Sequence, residues 1–374
     1  MTRSLSLCIG LLILDCLGSM LYAQNFTTFD VYGPDSTYTQ PAAINDLGQI
    51  VGSSMPSIPD CFGGPPAFCQ QGFFRDTDGT ISTVGPTPNR PNYFIAATLA
   101  INQWGLTVGS ITDNSGTDGW LRSSDGTLTR VFCDAPPAMP VNPNGFQPAF
   151  PKFLFPPMYS PEFGSAALAI NDWGQIAGVI GEGPGRGIAY LLNVDGTCIT
   201  FQAPTSNNVS VFDTLPQAIN DVGQITGYFA DLTGWHGFLR NSNGKLAVFN
   251  SAVGDTFALA INLSGEITGG YNSTSGFHGF LRRPGGKIIT LDPPGSVNTL
   301  ATSINIWGQI AGFYFDSGGI GHGFTRWPNG HIDTFDFPGV GVSTTIAQGI
   351  NDFGQITGYY VDASGTHGFF TQRP

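Results

Sequence analysis

The chain has 374 residues, of which only 11% are charged, against an ordinary share of about 25%. Its 14 basic and 26 acidic residues leave a net charge of −12, which argues against nucleic acid and anionic membranes as partners. Glycine, at 52 residues, is about twice as common as usual, a composition suited to many short buried strands joined by tight turns.

Residues 1–23 read as a secretory signal peptide: Arg3 gives a basic start, and Leu5 to Leu14 form an apolar run too short to span a bilayer. Leu21-Tyr22-Ala23 then offers a small residue for cleavage, while Asp15 before Cys16 is a poor neighbour for lipid attachment. The expectation is a secreted or periplasmic protein with one domain over 24–374, insertion into a membrane being excluded. Of its six cysteines, Cys61, Cys69, Cys133 and Cys198 lie beyond the signal peptide, and export permits disulfides. Cys61 and Cys69 flank the short loop Phe62-Gly63-Gly64-Pro65-Pro66 and are expected to pair.

The rest of the chain repeats. Ile-Asn pairs fall at Ile44-Asn45, Ile101-Asn102, Ile170-Asn171, Ile219-Asn220, Ile261-Asn262, Ile304-Asn305 and Ile350-Asn351, at spacings of 57, 69, 49, 42, 43 and 46 residues. Each unit contains four strand candidates. Strand A ends in Ile-Asn and is rich in small residues, and strand B follows a tight turn, as in Glu266-Ile267-Thr268-Gly269-Gly270-Tyr271. Strand C is of the Gly279-Phe280-Leu281-Arg282 type, and strand D of the Lys287-Ile288-Ile289-Thr290-Leu291-Asp292 type. The A–B turn fits a type I turn, with Asn first and Gly fourth. The C–D turn uses Pro to set φ and Gly for the left-handed position, as in Trp327-Pro328-Asn329-Gly330. Each unit is therefore predicted to be a four-stranded antiparallel meander.

The last unit stops after its strand C, and its missing strand D stands at the mature N-terminus as Thr27-Thr28-Phe29-Asp30. A split unit closes a ring and removes exposed sheet edges. The expected fold is all-β: a seven-bladed β-propeller of four-stranded antiparallel blades, the last closed by the N-terminal strand. A parallel β-solenoid is the alternative, but about 42 residues is long for one coil. In a propeller Cys133 ends strand D of unit 2 on one face, and Cys198 begins strand D of unit 3 on the other. A six-residue strand separates the faces by roughly 20 Å, beyond the ~7 Å limit for a bridge, so this pair is expected to stay apart.

With its Ile-Asn-x-x-Gly-x-Ile-x-Gly phrase and a His-Gly-Phe triplet at His236, His278, His322 and His367, the chain resembles the HAF-type extracellular repeat proteins of bacteria. The resemblance covers nearly all of residues 26–374 and implies export, but no particular activity or catalytic residue. Units 1 to 3 depart from it, with Gln71, Asp118 and Arg186 read at the His position.

Candidate chemistry is sparse. The four His lie roughly 14 Å apart by strand spacing, too far to share a metal, and each ring is expected to bond a loop carbonyl. Leu47, Trp104, Trp173, Val222, Ser264, Trp307 and Phe353 occupy one position of the A–B turns, where packing beneath the blades is favoured over stacking on sugars. Asp113–Gly116, Asp231–Gly234 and Asp362–Gly365 read as Asx turns, one carboxylate per loop being too few for calcium. No cofactor, metal site or catalytic motif is expected.

All extra length falls in the B–C or D–A connections, at 55–70, 85–96 and 133–165, which share one face of the disc. Insertions gathered on one face of a repeat protein mark a binding surface. The longest holds nine prolines among aromatic residues. It reads as a lid or as a groove wall. Tyr93, Phe94, Phe146, Phe150 and Tyr159 are the candidate ligand-binding aromatics there, with Arg90, Lys152 and Glu162 as polar anchors. The function expected is a monomeric secreted binding or scaffold module for a carbohydrate or surface protein. The alternative is a polysaccharide-acting hydrolase or lyase working in the axial pocket.

Overall fold

The computed structural model describes residues 25–33, 36–56, 70–84, 93–113, 116–131, 133, 163–182, 186–204, 211–251 and 253–372. The signal-peptide segment, Cys61, Cys69 and most of the three insertions lie outside these residues.

The described residues form 28 strands and no helix. Strand β1 (Phe26–Phe29) comes first. Unit 1 follows with β2 (Ser36–Ile44), β3 (Ile50–Pro56), β4 (Gln71–Arg75) and β5 (Ile81–Val84), and unit 2 with β6 (Tyr93–Ile101), β7 (Thr107–Asp113), β8 (Gly116–Arg122) and β9 (Leu128–Val131). Unit 3 comprises β10 (Phe163–Ile170), β11 (Ile176–Glu182), β12 (Gly187–Leu192) and β13 (Cys198–Phe201). Unit 4 comprises β14 (Val211–Ile219), β15 (Ile225–Asp231), β16 (Gly234–Arg240) and β17 (Leu246–Phe249). Unit 5 is β18 (Thr256–Ile261), β19 (Ile267–Ser273), β20 (Gly276–Arg282) and β21 (Ile288–Leu291). Unit 6 is β22 (Asn298–Ile304), β23 (Ile310–Phe315), β24 (Gly321–Arg326) and β25 (Ile332–Phe335). The last three strands are β26 (Thr344–Ile350), β27 (Ile356–Val361) and β28 (Thr366–Thr371).

Within each unit, consecutive strands pair antiparallel, as β18–β19, β19–β20 and β20–β21 do. Strand β1 pairs with β28, Phe26 opposite Thr371 and Phe29 opposite Gly368. The turns follow the backbone chemistry of their residues. Gly354 N–H donates to the Asn351 carbonyl at 3.0 Å, and Gly354 takes a φ of +76°, which only glycine adopts without strain. Every inner strand carries a bulge, for example between Ala258 and Ala260, and the facing glycine of strand B lets the two backbones close up. A Cβ at Gly269 would collide with the Phe257 carbonyl.

The core lies between units. Leu281 and Leu291 of unit 5 pack with Ala301, Ile304, Ile310, Tyr314 and Phe324 of unit 6, and the same pattern joins unit 4 to unit 5. Sheets stacked face to face through such cores give an all-β, propeller-like architecture.

Three sequence expectations need correction. Cys133 and Cys198 are disulfide-bonded, with Cα atoms 5.9 Å apart. The expectation treated the outer strands as standing upright between two faces. Successive strands of a sheet rotate by about 20–25°, so a fourth strand is inclined by roughly 60–75° to the first and spans little height. Strands β9 and β13 are also only four residues long. Val131 and Cys133 consequently lie over unit 3, in one cluster with Ala167, Ile180 and Tyr190 and against Cys198.

The second correction is of register. Ile180 faces Ile188 in β11–β12 as Tyr271 faces His278 in β19–β20, so Ile188, not Arg186, stands at the His position of unit 3. Third, the insertions are shorter than read: Tyr93–Ala96 belong to β6 and Phe163–Ser165 to β10.

Candidate functional site

The repeated asparagine does more than open a turn. Asn45 Nδ2 donates to the Asn102 carbonyl, and the same bond runs from Asn102 to Asn171, Asn171 to Asn220, Asn220 to Asn262, Asn262 to Asn305 and Asn305 to Asn351, at 2.9–3.3 Å. Asn351 then donates to the Asn45 carbonyl at 3.0 Å, so the series returns to its start. In each unit the Asn Oδ1 accepts the N–H four residues on, as Glu266 N–H to Asn262 does at 2.9 Å. All seven side chains are buried. The position needs a donor and an acceptor together, which Asn supplies and Asp does not.

Inside this ring is a cavity of about 210 Å³ on the axis, lined by inner-strand residues of all seven units, including Ala43, Ala100, Ala169, Ala218, Ala260, Ser303 and Gly349. Among the described residues its polar lining is Gln217, Thr302, Ser303 and Gln348, and none of these lining side chains is titratable. Drug-sized ligands occupy pockets of about 300–1,000 Å³, so the cavity is small for a sugar chain.

The A–B turns surround the mouth of this axis. Trp104, Trp173 and Trp307 are 69%, 70% and 65% exposed, and Leu47, Val222 and Phe353 are exposed beside them. This corrects the expectation that these residues are packed beneath the blades. Each indole is nevertheless held at its edge by the next turn. Trp104 Nε1 donates to the Asp172 carbonyl (2.9 Å), Trp173 Nε1 to Asp221 (2.8 Å) and Trp307 Nε1 to Asp352 (3.0 Å). The carboxylates of those turns accept backbone N–H groups from the preceding turn: Gln103 to Asp172 (2.9 Å), Asp172 to Asp221 (2.9 Å), Ile306 to Asp352 (3.0 Å) and Asp352 to Asp46 (2.8 Å). Burial pushes Asp172 and Asp352 above the ordinary carboxylate value, and neighbouring carboxylates add to the effect.

On the opposite face the histidines find side-chain partners rather than the loop carbonyls expected of them. His278 Nδ1 donates to Asp292 (2.7 Å), His322 Nδ1 to Asp336 (2.7 Å), and His236 Nδ1 to the Asn250 amide oxygen (2.9 Å). In each case the partner lies 14 residues on, at the end of strand D. The other ring nitrogen meets the B–C turn: Thr233 and Asp231 for His236, Ser273 and Ser275 for His278, Ser364 and Asp362 for His367. A strand-B ring stacks on the imidazole, Tyr314 on His322 at 4.9 Å and Tyr360 on His367 at 5.1 Å. For His367 the Nδ1 partner is Asp30, at 3.0 Å, just beyond β1. Burial disfavours the charged His367 ring, but the hydrogen bond and charge of Asp30, with Asp362 behind, hold it above its ordinary value. Two of the expected Asx turns are present, with Thr233 N–H to Asp231 and Ser364 N–H to Asp362, both at 2.7 Å, while residues 114 and 115 of the third lie outside the described residues.

Of the ligand-binding candidates, Tyr93 and Phe94 lie in β6, where Tyr93 pairs with Asp113. Arg90, Phe146, Phe150, Lys152, Tyr159 and Glu162 lie outside the described residues. Among the described residues no three His, Cys, Asp or Glu side chains converge as a metal site.

The chain matches no protein-family model, and no curated protein matches its sequence. Solved structures share its fold. A streptogramin B lyase is 14% identical with a TM-score of 0.53, over 93% of this chain and 97% of that one. A virginiamycin B lyase from Staphylococcus aureus is 11% identical (TM-score 0.55; 93% and 99%). The β-propeller domain of the Trilobed protease from Pyrococcus furiosus is 9% identical (TM-score 0.56; 90% and 95%). At such identities the likeness establishes the propeller fold alone.

Proposed function

We propose that the chain is an exported seven-bladed β-propeller, closed by its N-terminal strand, that works as a binding or scaffold module. Seven four-stranded units, the β1–β28 pairing and the returning ring of asparagine bonds support the blade count and the closure. The Cys133–Cys198 bridge supports an oxidising compartment, and the repeat phrase supports kinship with HAF-type extracellular proteins.

The wall of the axial cavity carries the binding reading. Acid–base catalysis needs a titratable side chain within hydrogen-bond reach of the reacting group, and among the described residues the lining of this cavity has none. Recognition then falls to the faces of the disc, with a carbohydrate or a surface protein as partner on the insertion-bearing face. A panel of plant and bacterial polysaccharides tests this. Retention without turnover is expected, and Tyr93→Ala with Tyr159→Ala should weaken retention at least tenfold at an unchanged melting temperature. Turnover of any member of the panel would put a hydrolase or lyase in place of the binding module.

A further inference from the structure

We propose that the A–B-turn face is a second binding surface, built for a basic polypeptide segment whose Arg and Lys side chains lie on its exposed indoles. The inference goes beyond the partner on the insertion-bearing face and rests on different residues.

The first observation is the state of the rings. Trp104, Trp173 and Trp307 are each about two-thirds exposed, yet each has spent its single hydrogen-bond donor on the carbonyl of the neighbouring turn. An indole tied at its edge and open at its face loses little freedom when something stacks on it, which is the condition for a preorganised contact. Leu47, Val222 and Phe353 extend the apolar surface round the mouth of the axis.

The second observation is charge. Every tied indole meets the backbone of an aspartate: Trp104 that of Asp172, Trp173 that of Asp221, and Trp307 that of Asp352. The seven turns (45–49, 102–106, 171–175, 220–224, 262–266, 305–309 and 351–355) contain four Asp and one Glu and no Lys, Arg or His. The Glu, Glu266, is paired with Arg283. Burial, and after it the charge of neighbouring carboxylates, raises Asp172 and Asp352, and a cation laid beside them offsets that repulsion.

These features choose among occupants. A second copy docked face to face would set four carboxylates against four. Anionic lipid is repelled for the same reason, and by the net charge of −12. A neutral glycan uses the rings but draws nothing from the charge. A guanidinium or ammonium uses both: it stacks on the aromatic face, Trp being the best of the rings for this, and lies beside a carboxylate. The chain already stacks Arg on aromatic rings within its own fold, with Arg122 over Phe74 at 4.3 Å and Arg282 over Phe249 at 4.6 Å.

The test uses the full chain and a fluorescent octa-arginine peptide at physiological salt, with octa-glutamate and a neutral glucan as comparison probes. Because the whole protein is acidic, loss of binding in salt decides nothing, so the deciding variant, at the tryptophans, conserves charge. In Trp104→Leu/Trp173→Leu/Trp307→Leu, each position receives the side chain that Leu47 already presents in unit 1, so folding is retained. We expect the triple variant to weaken octa-arginine at least tenfold at an unchanged melting temperature. Asp172→Asn/Asp352→Asn keeps the oxygen that accepts the backbone N–H and should weaken binding at least threefold. Octa-arginine bound equally by the Trp variant, or not bound by the native chain, overturns the proposal. So does glucan retained through these tryptophans while the peptide is not. Loss of glycan retention in the Tyr93/Tyr159 variant with peptide binding intact separates this surface from the proposed carbohydrate site.

Discussion

Seven A–B turns carry the same buried asparagine, whereas the histidine of strand C stands in only four of the seven units. The asparagine makes its bonds to backbone, which every neighbouring unit supplies whatever its sequence. The histidine needs a side-chain partner at the end of an outer strand, 14 residues on for His236, His278 and His322 and Asp30 for His367, and the units without the histidine have neither Asp nor Asn at that place. The residues 14 beyond Gln71, Asp118 and Ile188 are Gly85, Phe132 and Gln202. In those units other ties take over. Gln71 accepts the Tyr32 hydroxyl at 2.7 Å, Asp118 pairs with Arg130, and the Cys133–Cys198 bridge joins the outer edges of units 2 and 3. A contact to backbone can be repeated without exception, while a contact between side chains persists only where both members are present.

The largest expected effect comes from deleting residues 25–33, which removes a histidine partner and an outer strand together. Phe26 packs on Phe335, Phe337 and Phe369, and Phe29 on Phe73 and Phe370. Losing two such rings should cost more than about 5 kcal/mol and expose a sheet edge, giving a lower denaturant midpoint and aggregation. A truncated chain that melts like the native one would mean that the asparagine ring alone holds the ends together.

The disulfide comes next. Its sequence separation of 65 residues gives about 4 kcal/mol on the chain-entropy account. Cys133→Ser with Cys198→Ser should lower the denaturant midpoint by a corresponding amount. A negligible change would show that units 2 and 3 need no tie beyond the turn ring.

Asn262→Ala leaves the Asn305 carbonyl and the Glu266 N–H without their buried partner and should cost about 2–3 kcal/mol, with Asn102→Ala costing much the same. If one site tolerates the change and the other does not, the ring is not a uniform device.

The smallest effect depends on pH. The folded-state value of His367 is raised, so its stabilisation is complete below its ordinary value of 6.5 and is lost as pH rises through the folded value. The difference in stability between the native chain and His367→Gln should therefore be larger at pH 6 than at pH 8.5, by about 1 kcal/mol or less. The opposite trend would mean that burial, not Asp30, governs the ring.

Much of this was legible in the sequence, because the relevant forces act within a few residues. Asn first and Gly fourth determine the A–B turns, alternating apolar residues determine the strands, and the likeness of Thr27–Asp30 to Asp333–Asp336 already placed β1 beside β28. The tertiary structure decided whatever depended on how one unit lies against the next. Twist inclines the outer strands, so two cysteines assigned to opposite faces meet at 5.9 Å. Stacking of the units turns each asparagine amide toward the next turn, a partner 42 to 69 residues away along the chain for the first six. It also leaves the tryptophans of those turns uncovered: periodicity places a side chain on a turn, but only the neighbouring unit determines whether anything lies over it.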